Sequence, residues 1–121
     1  MTTMIEFLKP DFVFTDDRGT LKQLVHDGYK QINVITAKAN CIRGGHYHKI
    51  NKEAFYVISG KFILTTKFNN EEQEFTFKKD DMFVILPKVY HSFNFLEDTI
   101  LVSMYDKGVE ISATEKDIYN K

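Results

Sequence analysis

Residues 43–53 read Arg-Gly-Gly-His-Tyr-His-Lys-Ile-Asn-Lys-Glu, and more of the architecture can be predicted from this stretch than from any other part of the chain. His46 and His48 are two residues apart, so in an extended strand both imidazoles leave the same face. Glu53 stands at the head of an apolar run that reads as the next strand, and His91 follows a second apolar run further along the chain. Three imidazoles and a carboxylate on neighbouring strands are a ligand set for divalent first-row metals. The spacing therefore predicts a metal site formed by His46, His48, Glu53 and His91.

The same spacing resembles the two sequence motifs of the cupin superfamily. The first motif, His-x-His, four residues, Glu, six residues, Gly, is matched within residues 43–60. The second, Pro-x3-His, is matched more loosely within residues 82–94: Lys88 stands where a glycine is common, while Asn94 follows at the usual distance. The resemblance implies an all-β fold with one cupin domain over residues 1–121. Its double-stranded β-helix, or jelly-roll, barrel would hold the metal inside.

The alternation of apolar and polar residues indicates the same fold class independently of the motifs. We expect about nine or ten short strands separated by turns, which is the pattern of an all-β sandwich or barrel. Residues 82–86 are apolar on both faces and predict a buried central strand. Residues 112–120 are polar and predict either a short terminal helix or a tail.

Composition and charge exclude several classes of function. The chain is 43% hydrophobic and 27% charged, as in an ordinary soluble globular protein. Its formal net charge of -1 gives no excess of positive charge that would attract nucleic acid or an anionic membrane. There is no signal-peptide pattern and no apolar run of ~18 residues that could span a membrane. Cys41 is the only cysteine, so we expect no intrachain disulfide, a cytoplasmic protein, and a small core residue at this position.

A narrower resemblance concerns the cupins that act on nucleotide-linked 4-keto-6-deoxysugars, the dTDP-4-dehydrorhamnose 3,5-epimerases and the sugar 3,4-ketoisomerases. It rests on Asp-Asp-Arg-Gly at residues 16–19, Gln-Ile-Asn at residues 31–33 and Arg-Gly-Gly-His-Tyr-His-Lys at residues 43–49. The chain is also similar to the metal-binding cupin domain at the C terminus of bacterial capsule-sugar reductases. The resemblance implies a nucleotide-sugar isomerase or epimerase of surface polysaccharide biosynthesis. It also implies a homodimer, because an N-terminal strand of cupins often pairs with a second subunit.

The chemistry of a 4-keto sugar suits these residue types. Hydrogens on the carbons that flank the carbonyl are acidified, and an imidazole can remove one at neutral pH to leave an enediolate. By the resemblance, His46 or His48 would be the base, and Arg43 would stabilise the oxyanion or bind the phosphates. In addition to Arg43, the predicted substrate-binding residues are Arg18 for the pyrophosphate, Gln31 and Asn33 in the sugar pocket, and Tyr90.

Two interpretations compete for the same histidines. The 3,5-epimerases have a Gln where this chain has His48 and use no metal, and the ketoisomerases are usually metal-free, so that their histidines can move protons. Here Glu53 and His91 complete a ligand set, and a metal-bound imidazole is not a base at neutral pH. We therefore predict either a divalent ion, with zinc, iron, nickel and manganese not distinguished by the sequence, or no cofactor if the histidines act as acid and base.

Two other functions remain open on the sequence alone. A metal-dependent oxygenase or lyase needs only the four ligands with an open coordination position. A non-catalytic module would bind a sugar or metabolite without turning it over. The proton donor of an isomerase is also open, because spacing does not choose among Tyr47, Tyr56, Tyr90 and Tyr105.

Overall fold

A computed structural model describes residues 2–120 of the chain. Within these residues the secondary structure is entirely β, so the predicted fold class is confirmed, and residues 112–120 form a non-helical segment. No helix in this part of the chain could cross a membrane. The eleven strands are β1 (Ile5–Leu8), β2 (Phe12–Asp16), β3 (Gly19–Gln23), β4 (Gln31–Ala37), β5 (Ile42–His46), β6 (Glu53–Ser59), β7 (Lys61–Phe68), β8 (Glu71–Lys78), β9 (Met82–Ile85), β10 (Tyr90–Phe95) and β11 (Thr99–Tyr105).

Two antiparallel sheets enclose the main core. The larger sheet has the strand order β1-β9-β6-β11-β4 and the smaller one β5-β10-β7-β8. Alternate residues of each strand point inward, as on β7, where Phe62 and Leu64 are fully buried. The core is heavily aromatic, with the rings of Phe77 and Phe83 stacked 4.0 Å apart. The abundance of phenylalanine in the sequence is thus explained by the space between the sheets.

Strand β9 is buried on both faces, as its apolar run predicts. Phe83 and Ile85 belong to the main core between the sheets. Met82 and Val84 face the other way, into a second apolar cluster that residues 24–29 help to cover. The strand lies second from the edge of the larger sheet rather than at its centre.

Two glycines allow backbone segments to approach closely around the first motif. Gly60 connects β6 to β7 at φ +102°, and a Cβ atom there would lie 2.6 Å from the Asp98 carbonyl oxygen. Gly44 on β5 has φ +94°, and a Cβ atom would lie 2.9 Å from the carbonyl oxygen of His91. Neither position accepts a side chain without movement of the backbone. Strand β5 can therefore lie directly against the strand that carries His91.

Two features of the surface complete the fold. Strands β2 and β3 form a hairpin that pairs with neither sheet and exposes Phe12, Phe14 and Leu21. Cys41 is exposed, so its predicted core position is wrong. The reason is topological, since Cys41 immediately precedes β5, an edge strand of the smaller sheet.

Candidate metal and active site

The four predicted ligands meet where β5 and β10 of the smaller sheet face β6 of the larger one. His46 ends β5 and pairs with His91 on β10, His48 follows β5, and Glu53 begins β6. One ring nitrogen of each histidine lies within 4.8 Å of those of the other two. The Oε1 atom of Glu53 lies 3.2 Å from His48 Nε2 and 3.7 Å from His91 Nε2. The fold therefore brings all four side chains together.

Two of the imidazole rings are held from their far side. His48 Nδ1 donates a hydrogen bond to the carbonyl oxygen of Asp117 at 2.6 Å, and His91 Nδ1 donates to that of Val89 at 3.0 Å. A carbonyl only accepts, so each Nδ1 carries a proton and, in the neutral ring, each Nε2 keeps its lone pair. Metal-ligating histidines are typically held in this way by an outer carbonyl or carboxylate.

The donor set fits a divalent metal ion. Among residues 2–120, no hydrogen-bond partner reaches His48 Nε2, His91 Nε2 or Glu53 Oε1, although all three atoms are buried. An unpaired buried polar atom costs about 1–3 kcal/mol, and a bound ion would offset that cost at all three atoms. His48, Glu53 and His91 are the residues best placed to hold such an ion, with His46 within reach as a further ligand.

The surroundings of Glu53 favour its ionised form, which can bind a cation. The buried Ser103, which the sequence reasoning missed, donates its hydroxyl to Glu53 Oε2 at 2.6 Å. Burial by itself would raise the pKa of Glu53, but its contacts with His48, His91 and Ser103 hold that pKa below its ordinary value. Conversely, burial would lower the pKa of His48, but the Glu53 carboxylate and the Asp117 carbonyl raise it overall. The Glu53 carboxylate therefore favours positive charge beside it, and any proton on a ligating imidazole nitrogen would leave when a metal ion binds.

His46 differs from the other two histidines. The His46 ring is only partly buried and lies in the wall of a cavity that His91 also borders, although His91 is buried. No residue within 2–120 forms a hydrogen bond with the His46 ring, whereas a backbone carbonyl holds each of the other two rings. Burial, and the nearby His48, lower the pKa of His46, so this imidazole is neutral at pH 7. A neutral ring with a free nitrogen at a cavity wall can accept a proton from a bound molecule.

The cavity beside the cluster has a volume of about 450 Å³ and lies between the two sheets. Tyr105 on β11 borders it, with its ring centroid 5.1 Å from that of His48. Burial, assisted by the Glu53 carboxylate, raises the pKa of Tyr105 far above its ordinary value, so its hydroxyl stays protonated. Of the tyrosines that the sequence left open as proton donors, Tyr105 is the one in this wall, because Tyr56 bonds to Asp80 and Tyr47 and Tyr90 line a different cavity.

Of the residues predicted to bind substrate, Asn33 on β4 and Arg43 on β5 line the same cavity. Gln31 does not line it in the described structure. Its Oε1 atom accepts the backbone N–H of Val109 at 2.8 Å and ties β4 to the C-terminal segment. The predicted pocket position of Asn33 on β4 therefore agrees with the structure. The side-chain amide of Gln31 instead has a structural role.

Arg18 and Tyr90 lie away from the cavity within one copy of the chain. Arg18 stands at the tip of the β2–β3 hairpin, where its 83% exposed side chain pairs with Asp16 at 2.6 Å. Tyr90 faces outward from β10, because it alternates with the inward-facing His91. It lines a second cavity, also of about 450 Å³, together with Tyr47.

Comparison with known proteins places this site in a family. Residues 14–116 match the family described as polysaccharide biosynthesis C-terminal domain. No curated protein sequence matches the chain. The match covers most of the hairpin, every strand of the two sheets except β1, and all four residues of the proposed ligand set.

Several solved structures share the fold. A mutant of the 3,4-ketoisomerase QdtA from Thermoanaerobacterium thermosaccharolyticum, in complex with TDP-4-keto-6-deoxyglucose, is similar with a TM-score of 0.80 and 18% identity over 100% of this chain and 90% of that one. The capsular polysaccharide assembling protein CapF from Staphylococcus aureus is similar with a TM-score of 0.67 and 23% identity, over 89% of this chain and 33% of the CapF chain. The Mycobacterium tuberculosis rmlC epimerase is similar with a TM-score of 0.71 and 14% identity, over 92% of this chain and 66% of the epimerase chain. The predicted cupin jelly roll is confirmed.

Proposed function

The chain belongs to the family of polysaccharide biosynthesis C-terminal domains, and from this membership and the chemistry of its cavity we propose that it is an isomerase or epimerase of nucleotide-linked 4-keto-6-deoxysugars. The observation that carries the proposal is a pair of side chains in one cavity wall. His46 is a neutral imidazole, and Tyr105 is a phenol that stays protonated. One can take a proton from a substrate and the other can return one. The similar QdtA enzyme supports this substrate class, since it is a 3,4-ketoisomerase solved with TDP-4-keto-6-deoxyglucose.

In the proposed reaction, His46 accepts a proton from C3 or C5, the two carbons next to the sugar ketone. The C–H electron pair moves to form an enolate, which is an enediolate when the proton comes from C3. Return of a proton to the same carbon from the opposite face gives an epimer. Transfer of the hydroxyl proton from O3 to O4, with protonation of C4, gives the 3-keto isomer. Tyr105 supplies the returning proton and is reprotonated by the solvent or by His46. Both outcomes conserve electrons, so no redox partner is required.

Arg43 and Asn33 bind and orient the substrate. Arg43 lines the cavity beside Gly44, and its guanidinium can neutralise the developing oxyanion or a phosphate there. The Asn33 amide, on the opposite sheet, can bond a sugar hydroxyl. We assign metal binding to His48, Glu53 and His91, and an ion held there would polarise the sugar carbonyl. His46 then remains free for proton transfer.

We also propose that the protein is a homodimer. An isolated two-stranded hairpin is marginal in water, yet β2–β3 exposes Phe14 and Leu21. Strand β4 lies at a sheet edge and exposes Ile32 and Val34. A second copy would cover these apolar groups, and the role predicted for Arg18 at the hairpin tip requires such a partner. Sedimentation of the wild type should give twice the chain mass, and Phe14→Asp should give a monomer. An exposed, unpaired Cys41 fits a reducing compartment, and we propose the cytoplasm.

The enzymatic proposal is tested by hydrogen exchange with solvent. The protein is incubated in D2O with TDP-4-keto-6-deoxyglucose, and the C3 and C5 proton signals of the sugar are followed by NMR. We expect loss of at least one signal, slowed about 10²–10⁴-fold by His46→Ala and similarly by Tyr105→Phe. The new resonances distinguish an epimer from a 3-keto isomer. His26→Ala is the matched control, because His26 is exposed and pairs with Asp11 away from the cavity.

Two results would contradict the proposal. Absence of protein-dependent exchange with several such sugars would remove the isomerase, and oxygen uptake by the iron-loaded protein would then support an oxygenase. Equal exchange rates in wild type and His46→Ala would refute the assignment of the base, whatever the product.

A further inference from the structure

We propose that Asp117 is a positioning residue that fixes the orientation and tautomer of His48. It lies 69 residues from His48 in sequence and one residue beyond the matched family region, which ends at residue 116. The assignment concerns the geometry of His48 itself, and only its consequence for catalysis rests on the proposed function.

The side chain of Asp117 organises the loop that follows His48. Its Oδ1 atom accepts the backbone N–H of Lys49 at 2.8 Å, and its Oδ2 atom accepts those of Ile50 at 3.1 Å and Asn51 at 3.0 Å. The Nδ2 atom of Asn51 donates to the same Oδ2 at 2.9 Å. Asp117 is fully buried, so four donors converge on one carboxylate out of reach of water. Hydrogen bonds to a charged acceptor are about twice as strong as neutral ones.

The backbone of Asp117 reaches the imidazole directly. Its carbonyl oxygen accepts from His48 Nδ1 at 2.6 Å, while its own N–H donates to the Val109 carbonyl at 2.7 Å. Two residues later, Tyr119 exchanges a pair of 3.0 Å backbone hydrogen bonds with Tyr47. The carbonyl that holds His48 is thus fixed by bonds on both sides and by the buried carboxylate of the same residue.

Asn51 completes the connection on the other side of the loop. Its Oδ1 atom accepts the N–H groups of Lys107 at 3.0 Å and Gly108 at 2.9 Å, and its Nδ2 atom donates to the Gly108 carbonyl at 2.8 Å. Two buried side chains, Asn51 and Asp117, therefore join the ligand loop to the C-terminal segment. Their hydrogen bonds all join residues 49–51 to residues 107–117, which points to orientation of the loop as their role.

This arrangement has a chemical consequence at His48. The partner of one ring nitrogen decides which nitrogen of a neutral imidazole carries the proton. A carbonyl fixed at Nδ1 places the proton there and directs the Nε2 lone pair toward Glu53, where a cation would bind. If the carbonyl is displaced, the ring can turn and can protonate at Nε2, and the ligand set then loses one member.

The test measures the tautomer of His48 in chelator-treated, ¹⁵N-histidine-labelled protein at a pH above the titration of the ring. In the wild type we expect a protonated Nδ1 and an unprotonated Nε2. In Asp117→Ala we expect a substantial population protonated at Nε2, together with a zinc affinity about 10–100-fold weaker. Glu115→Ala is the matched control, because Glu115 is an exposed residue of the same segment and should behave as wild type.

A second variant covers the case in which Asp117→Ala does not fold. Asp117→Asn keeps the size of the side chain but replaces one acceptor oxygen with a donor that faces backbone N–H groups. It should also shift the tautomer and weaken zinc binding. An unchanged tautomer with zinc affinity within about 2-fold of wild type, in whichever variant is folded, would overturn the proposal. The outcome is independent of the proposed enzyme activity, because a protein without sugar exchange still reports the tautomer and the zinc affinity.

Discussion

Replacement of Glu53 by Gln tests the metal site with the smallest change of shape. Glu53 is 4% exposed, and Gln can still accept the Ser103 hydroxyl bond that now reaches Oε2 at 2.6 Å. The metal-free fold should therefore survive. What the variant removes is the charged oxygen that lies 3.2 Å from His48 Nε2.

The expected size of the effect follows from linkage. An ion at 100 times its dissociation constant stabilises the folded state by about 2.7 kcal/mol. For a chain of 121 residues this corresponds to a rise in Tm of roughly 8–16 °C. Loss of an outer partner of a ligand weakens metal binding about 10–100-fold, and loss of the ligand itself should reach at least the upper end. At the same ion concentration the variant would then gain only about 0.4 kcal/mol, or roughly 1–2 °C.

The assay is thermal unfolding of chelator-treated protein with and without zinc, nickel or manganese, followed by circular dichroism. Glu72→Gln is the control with the same change of charge, since the Glu72 side chain is 59% exposed and far from the cluster. Equal Tm gains in Glu53→Gln and wild type would refute the assignment of Glu53 as a ligand. No gain in wild type with any of the three ions would refute the metal site as a whole.

Three further predictions concern stability. Gly60→Ala should lower the free energy of unfolding by about 2–5 kcal/mol in urea titrations, because φ is +102° and a Cβ atom would lie 2.6 Å from Asp98 O; an unchanged urea midpoint would contradict the observed turn. Lys88→Gly should raise it by about 0.5–1 kcal/mol, because Lys88 has φ +74° where the cupin motif commonly has glycine; a loss of stability would mean that the lysine side chain contributes contacts of its own. Burial lowers the pKa of His91 to about 4 from 6.5. The folded, metal-free protein therefore binds fewer protons than the unfolded chain between these values, and this group should remove about 3 kcal/mol of stability as the pH falls from 6.5 to 4. The free energy of unfolding of His91→Gln, measured in urea over the same pH range, should depend less on pH. Parallel curves for the variant and the wild type would refute the lowered pKa of His91.

The convergence of the four ligands could be predicted because it follows from local rules. Two residues separated by one position on a strand share a face, so His46 and His48 both point inward. Glu53 begins the apolar run of β6, and His91 follows the apolar run of β9 and lies near the start of β10. The one error of burial, at Cys41, arose because an apolar neighbourhood does not reveal that its strand lies at the edge of a sheet.

The support of the site could not be predicted, because it depends on contacts between distant parts of the chain. Ser103 is 50 residues from Glu53 in sequence, and Asp117 is 69 from His48. A serine within a strand and an aspartate in a polar tail are ordinary features that carry no local signal. Gln31 was predicted to line the pocket because it alternates along β4 like Asn33, but its side chain accepts a hydrogen bond from the backbone of Val109. Polar pairs of this kind are specified by topology, which the pattern of single strands does not contain.

The competition between metal ligand and catalytic base, which the sequence leaves open, is resolved in our proposal by what holds each ring. His48 and His91 each have one nitrogen bound to a backbone carbonyl, so the other nitrogen is directed at Glu53 and the ring cannot turn toward a substrate. His46 has no such bond and borders the cavity that also contains Tyr105 and Arg43. A ring that must collect and release a proton benefits from this freedom, whereas a ligand benefits from being fixed. The same barrel can therefore contain a metal centre and a proton-transfer pair, because adjacent histidines of one motif receive different support.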